Sequence, residues 1–220
     1  MMKIGIIGGT GRMGKGLALR WVLAGHRVTI GSRSLDKANN TVDEIIRRLG
    51  NDYRNMLHAD TYQRTVADNE LIVLSIPYFA LKQTLDTIRN YINMNKIILS
   101  PIVPLVFKDG KPVLIKNEDL SVAEEVARYL NNENVVSGFH TLPYRRLLRY
   151  RKEIQGDIVV FSDNKEAKKT VMDLVKDIPS LRPLDGGGLE NSGIIERFTY
   201  LLLEVRRINK LGDVTIYFRK

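Results

Sequence analysis

The 220-residue chain is basic, with 34 Lys and Arg against 25 Asp and Glu, a formal net charge of +9, and no cysteine. Disulfides, thiolate catalysis and Cys-based metal sites are thereby excluded, and no metal site is expected. No apolar run approaches the roughly 18 residues of a membrane-spanning helix, no secretory signal precedes the first glycines, and no nucleic-acid motif accompanies the charge. The expectation is a cytoplasmic protein whose positive field suits an anionic small molecule, with no nucleic-acid or membrane partner.

Ile4-Gly5-Ile6-Ile7 is an apolar, β-branched run of the kind buried on both faces of a parallel sheet. It breaks into Gly9-Thr10-Gly11-Arg12-Met13-Gly14, then continues as a helical segment, Leu17 to Ala24, closed by Gly25. Strand, glycine turn and helix in that order form the dinucleotide-binding fingerprint. Gly9 is expected to make the tight turn, Gly11 to admit a pyrophosphate, and Gly14 to let helix and strand pack closely. His26 follows as an expected surface turn or helix-capping residue.

A second strand, Arg27 to Ile30, leads into Gly31-Ser32-Arg33-Ser34-Leu35-Asp36-Lys37. An NAD site usually carries Asp or Glu here to bind the ribose 2′-hydroxyl. A hydroxyl, a guanidinium and a lysine one turn on would instead hold a 2′-phosphate through charge-assisted bonds, which favours NADP. The other reading is a polar loop that caps the next helix.

That helix is expected through Thr41 to Leu49, ending at Gly50, followed by a short third strand over Asn55 to Asp60 and a short helix over Thr61 to Asn69. Glu70 to Pro77 and Lys96 to Pro101 read as buried strands on either side of an amphipathic stretch, Phe79 to Asn90. Ile102 to Lys116, with Asp109-Gly110, reads as a hairpin-like excursion. Ser121 and Glu124 have capping-box spacing at the head of a helix to Asn131. Strands are expected at Asn134 to His140, Asp157 to Phe161 and Leu181 to Asp185, with a helix over Lys165 to Asp177. Ile194, Ile195, Phe198, Leu201, Leu202, Val205 and Ile208 stripe a long helix within 189–210, and Val214 to Phe218 reads as a last edge strand.

This alternation predicts an α/β fold: a Rossmann-type, doubly wound, mostly parallel sheet with a small C-terminal α/β cap. The expected division is a dinucleotide-binding domain at 1–142 and a cap at 143–220. Gly8, Gly31, Ile76-Pro77 and Ser100-Pro101 should converge at the carboxyl ends of the strands.

No protease, hydrolase or Walker motif is present, His58 has no assigned role, and Asp163 and Asp185 read as isolated turn and cap residues. His140 ends a strand at the ligand edge, where it is either structural or in contact with ligand. The thin catalytic inventory suits hydride transfer, which needs no nucleophile of its own, and no catalytic residue is assigned.

These residues carry a resemblance. Ile7-Gly8-Gly9-Thr10-Gly11 with Gly14 to Ala18, Gly31-Ser32-Arg33 with Lys37, Ile76-Pro77, Ser100-Pro101 with Val103-Pro104, Val135-Val136-Ser137 with His140-Thr141, and Leu181 to Asp185 together resemble the NADP-dependent reductases of coenzyme F420 over essentially the whole chain. The resemblance implies hydride transfer between NADP(H) and this deazaflavin. It implies that Thr10 to Met13, Ser32, Arg33 and Lys37 hold the phosphates, and that Ile76, Pro77, Tyr78 and Val103 line the nicotinamide side. His140, Leu142 and Tyr144 would border the deazaflavin, and the tail at Gly212 and Val214 would close over it. Where the family has small residues this chain has Tyr144-Arg145-Arg146. The arginines either attract the coenzyme's anionic tail or form a solvated helix face. Reduction of another acceptor, a flavin or an imine, and a non-enzymatic NADP sensor are the alternatives. The striped helix suggests a homodimer, or else is buried within the monomer.

Overall fold

A computed structural model describes residues 1–115 and 121–219. Its main sheet runs β3-β2-β1-β4-β5-β8, all parallel, from β1 (Lys3–Ile7), β2 (Arg27–Ser32), β3 (Leu57–Thr61), β4 (Leu71–Leu74), β5 (Ile97–Ser100) and β8 (Val135–Ser137). Helices α1 (Arg12–Leu23), α2 (Leu35–Leu49), α3 (Tyr62–Asp68), α4 (Leu81–Ile88) and α5 (Val122–Leu130) make the crossovers. Strand order reverses between β1 and β4, and their carboxyl ends open the crevice where such sheets bind ligands.

The period-two pattern of the strands sorts the core into two layers. In β4, Leu71 and Val73 join the layer under α1 and α2, while Ile72 and Leu74 join the layer under α4 and α5. Trp21 is fully buried, packs edge-on against Phe139 at 5.8 Å and donates from its indole to the Leu174 carbonyl at 3.1 Å.

The predicted hairpin is β6 (Leu105–Lys108) against β7 (Lys111–Leu114), antiparallel about Asp109-Gly110; Lys116 lies outside the described residues. The capping box at Ser121 and Glu124 forms as expected. The chain then adds α6 (Tyr144–Leu148), β9 (Gly156–Val160), α7 (Lys165–Lys176), β10 (Leu181–Asp185) and α8 (Ser192–Ile208). β9 and β10 pair in parallel, and paired bonds between Ser137 and Phe161 join them to the edge of the main sheet. Arg20 of α1 donates to the carbonyls of Arg146, Leu147, Arg149 and Lys152, which fastens the α6 region onto α1.

Three expectations change. The tail at Val214 to Phe218 has no regular secondary structure and forms no strand. One backbone bond, Asp157 N–H to the Ile216 carbonyl at 3.0 Å, and the Asp157 carboxylate hold it beside β9. His26 does help cap α1, its N–H donating to the Trp21 carbonyl at 2.9 Å, but it is buried rather than a surface residue: its Nδ1 accepts from the Met2 N–H at 3.2 Å and its Nε2 meets Asp177 at 2.9 Å. Asp185 is not an isolated turn residue, because Lys168 binds it at 2.7 Å.

Among the described residues no helix is long and apolar enough to cross a membrane, and no cluster of His, Asp or Glu is placed to hold a metal.

Candidate active site

The glycine loop closes the β1–α1 connection tightly. Gly8, rather than Gly9, carries the left-handed backbone, at φ +75°, and a Cβ there would sit 2.4 Å from the Ser75 carbonyl oxygen. Gly9 donates to the carbonyls of Ile6 and Gly31. At Gly14 a Cβ would lie 2.7 Å from the Gly9 Cα, so only glycine lets α1 approach the loop this closely. Gly11 is the N-cap of α1 and offers no side-chain cap. The first N–H groups of α1 therefore point into the crevice with the helix dipole behind them, a ready site for phosphate oxygens. Thr10 and Arg12 flank the loop, and Arg12 is exposed.

At the end of β2, both readings of the polar loop prove compatible. Ser34, not Ser32, caps α2, accepting from the Lys37 N–H at 3.4 Å. Ser32 is buried, and its hydroxyl accepts from the Ser34 N–H at 3.2 Å. Arg33 and Lys37 are exposed, and Arg33 lies close enough to Tyr62 to act on its titration. No carboxylate occupies the position where an NAD site would place one.

A cavity of about 620 Å³ begins where the glycine loop ends. Met13, in the first turn of α1, lines it together with Ile76, Pro77, Tyr78, Val103, His140, Leu142, Tyr144 and Val214. Gly212 does not line it; its carbonyl instead accepts from Arg206 at 2.6 Å. Residues 9–12, 14, 32, 33 and 37 lie outside this cavity, in the glycine loop, at the start of α1 and at the end of β2 and start of α2. Phe79 and Phe107, both largely exposed, stand at its edge. Thr199, Leu202, Leu203 and Arg206 form the α8 wall.

Tyr144 bridges the two halves of the site. Its hydroxyl accepts from Arg12 at 2.8 Å and from Arg145 at 3.4 Å, and the Arg12 guanidinium sits 5.3 Å from its ring centre. The bond from Arg145, with that from Arg12, draws the phenol below its ordinary value. Burial, reinforced by a 3.0 Å bond to Glu125, pushes the Tyr78 phenol up to about 12. Burial holds His140 down at about 3, so its ring is neutral across the physiological range.

Residues 3–104 match the family model for coenzyme F420-dependent NADP oxidoreductases. The chain is 33% identical to the F420-dependent NADP reductase of Methanothermobacter thermautotrophicus, covering 98% of this chain and 94% of the relative. It is 36% identical to that of Methanocaldococcus jannaschii, covering 92% and 91%.

The chain belongs to the F420-dependent NADP reductase family.

The fold agrees throughout. The crystal structure of a candidate F420-dependent NADP-reductase from Arthrobacter sp. FB24 superposes with a TM-score of 0.84 at 20% identity, covering all of both chains. A reductive aminase from Aspergillus terreus superposes at 0.62 with 17% identity, covering 96% of this chain and 63% of that one. The Arg12 and Arg145 guanidinium groups both sit over the Tyr144 ring, and Tyr144 and Arg145 line the cavity. Sequence reasoning missed the α8 wall, although Leu202 belongs to the stripe that marked this helix as amphipathic.

Proposed function

We propose that this protein transfers a hydride between NADP(H) and the deazaflavin coenzyme F420. The carrying observation is the junction at Met13, where the phosphate-ready helix start runs directly into a large, mainly apolar cavity. Such a cavity, with a few polar groups along its walls, suits a flat ring system, and the cradle left by Gly9 and Gly14 suits a pyrophosphate. The bound pair supplies the redox chemistry itself, NADPH and a proton giving two electrons to the deazaflavin in a reversible exchange.

On this reading Gly9, Thr10, Gly11, Arg12, Met13 and Gly14 hold the pyrophosphate, and Ser32, Arg33 and Lys37 hold the 2′-phosphate. Ile76, Pro77, Tyr78 and Val103 orient the nicotinamide, while His140, Leu142 and Tyr144 border the second ring. Residues 143–220 act as a cap on the dinucleotide-binding part at 1–142, with the tail at Val214, rather than Gly212, closing the cavity and excluding water. The working form is a homodimer paired through α8.

The test is absorbance of purified protein with NADPH and oxidised F420, alongside a flavin control. Loss of the deazaflavin band is expected. Bleaching of the flavin alone would replace the acceptor, and NADPH binding without any reduction would leave a sensor in place of an enzyme.

A further inference from the structure

The reaction proposed above moves a proton as well as a hydride, and the one carboxyl among the described lining residues, Asp213, lies close enough to the Arg145 cation to act on its titration. A chain of buried polar side chains leads away from the cavity at His140. Its Nε2 lies 3.4 Å from the Ser137 hydroxyl, which is in short contact with the Ser192 hydroxyl; Ser192 in turn lies 3.1 Å from Oε1 of Glu196. All four side chains are buried. The other ring nitrogen, Nδ1 of His140, is buried and has no hydrogen-bond partner among the described residues, although the residue lines the cavity.

We propose that Glu196, Ser192 and Ser137 form a proton relay ending at Nδ1 of His140, which exchanges the proton that accompanies the hydride. The inference rests on the proposed reaction, and the chemistry of the chain permits it. With Glu196 protonated, its O–H donates to Ser192, Ser192 to Ser137, and Ser137 to Nε2, so the neutral ring carries its hydrogen on Nδ1. With Glu196 ionised every bond reverses, Nε2 carries the hydrogen and Nδ1 becomes an acceptor.

Reduction of the acceptor breaks the Nδ1–H bond and gives that proton to the ligand. Each hydroxyl then passes its proton one place toward the ring: the Ser137 proton forms Nε2–H, and the Glu196 O–H is lost. The ring stays neutral, one proton leaves the protein, and no electrons move through the chain. The reverse reaction runs the same steps backwards. Glu196 and the serines act through His140 and are positioning residues.

The carboxyl is suited to the task. Burial pushes it up to about 7, against the N–H groups of Val122 and Ala123 and the Ser192 hydroxyl, which favour its charged form. The charged and titratable groups facing it are Arg197 on its own helix and, across from it, Tyr78, itself bonded to Glu125 of α5. Neutral His140 can relay a proton without becoming charged.

The test begins with the free protein, labelled with ¹⁵N at histidine and followed by NMR from pH 5.5 to 8.5. The His140 signals are assigned from a His140→Gln variant. The expected result is conversion from the Nδ1–H to the Nε2–H tautomer with a midpoint near pH 7, and loss of the switch in Glu196→Gln and in Ser192→Ala. The second, milder variant breaks the chain at its middle and keeps both ends. A single wild-type tautomer at all pH values, or an unchanged switch in both variants, overturns the relay.

With NADPH and F420, both variants should bind NADPH as the wild type does and lose the inflection of kcat near pH 7. Their kcat should fall on the order of 10²-fold. Unaltered kcat–pH profiles also overturn the proposal. Failure of the wild type to bleach F420 would instead overturn the reaction, since the tautomer switch is read without either ligand.

Discussion

Arg33 is the single side chain at which the proposed 2′-phosphate site can be tested. It is exposed, it follows the last residue of β2, and no neighbouring carboxylate occupies the ribose position. A hydrogen bond to a charged group contributes about 1.5–3 kcal/mol, so replacing this cation with an anion should weaken NADPH binding at least about tenfold. Arg33→Asp is the sharp form of the test, with Kd for NADPH and NADH measured side by side. The NADPH value should rise and the NADH value should change little, whereas equal affinities before and after would remove the 2′-phosphate assignment. Glu196 poses a different residue-scale problem, because its folded value, about 7, lies above the ordinary 4.5. Below about pH 4.5 the group is protonated in both states and adds no cost. As pH rises from there toward 7 the unfolded chain ionises first and stability falls, and above pH 7 the penalty is complete, on the order of 3 kcal/mol. Glu196→Gln should therefore gain stability relative to wild type by about that amount between pH 5 and pH 8, measured by denaturant unfolding at both.

The tail raises the next question, at the scale of an element with no regular structure of its own. Asp157, at the start of β9, takes both nitrogens of the Arg182 fork at 2.7 and 2.8 Å, and its carboxylate accepts from the Phe218 N–H. The Arg182 bonds hold this carboxyl below its ordinary value, so the anchor is fully present above the unfolded value of about 3.8 and is lost as pH falls through the folded one. Asp157→Asn should free residues 213–218, seen as faster amide exchange and proteolysis there, and raise KM for F420 several-fold with NADPH affinity unchanged. Protection equal to wild type would show that packing holds the tail. The same segment shows where sequence reading reaches its limit. Its run of β-branched and aromatic residues, Val214-Thr215-Ile216-Tyr217-Phe218, announces extended backbone, but whether a ladder forms depends on a partner strand distant in sequence. The β1–α1 fingerprint and the buried strands β4 and β5 were legible because local spacing determines them. His26 was not, since its burial comes from Asp177, far along the chain. Nor was the inward face of α8 legible. Ser192, Glu196 and Thr199 are buried there while Ile194, Phe198, Leu201, Val205 and Ile208 are exposed. A helical stripe identifies an amphipathic helix but not which face the protein covers, and here a polar site inverts the usual rule.

That inversion carries over to the whole molecule, because it leaves an apolar ridge along α8 facing outward. Ile194, Phe198, Leu201, Val205 and Ile208 are between 39% and 66% exposed and follow the alternating spacing of four and three that seats one helix against another. The ridge lies on the helix that also walls the cavity through Thr199, Leu202 and Leu203, so whatever covers it also braces the site. The homodimer proposed above would cover it with a second copy of this chain. In an antiparallel pair centred on Leu201, Arg197 and Glu204 stand on the same flank at nearly equal distances from the centre, which brings opposite charges together across a two-fold axis. Sedimentation of the wild type should then give twice the chain mass. Phe198→Glu combined with Leu201→Glu should give the single-chain mass with unchanged helical content, since both side chains already face solvent within the monomer. Losing the partner should also loosen the α8 wall, raising KM for F420 more than Kd for NADPH, whose proposed site runs mainly along the glycine loop. A wild type that sediments as a single chain at micromolar concentration would remove the pairing and assign the ridge to a different protein.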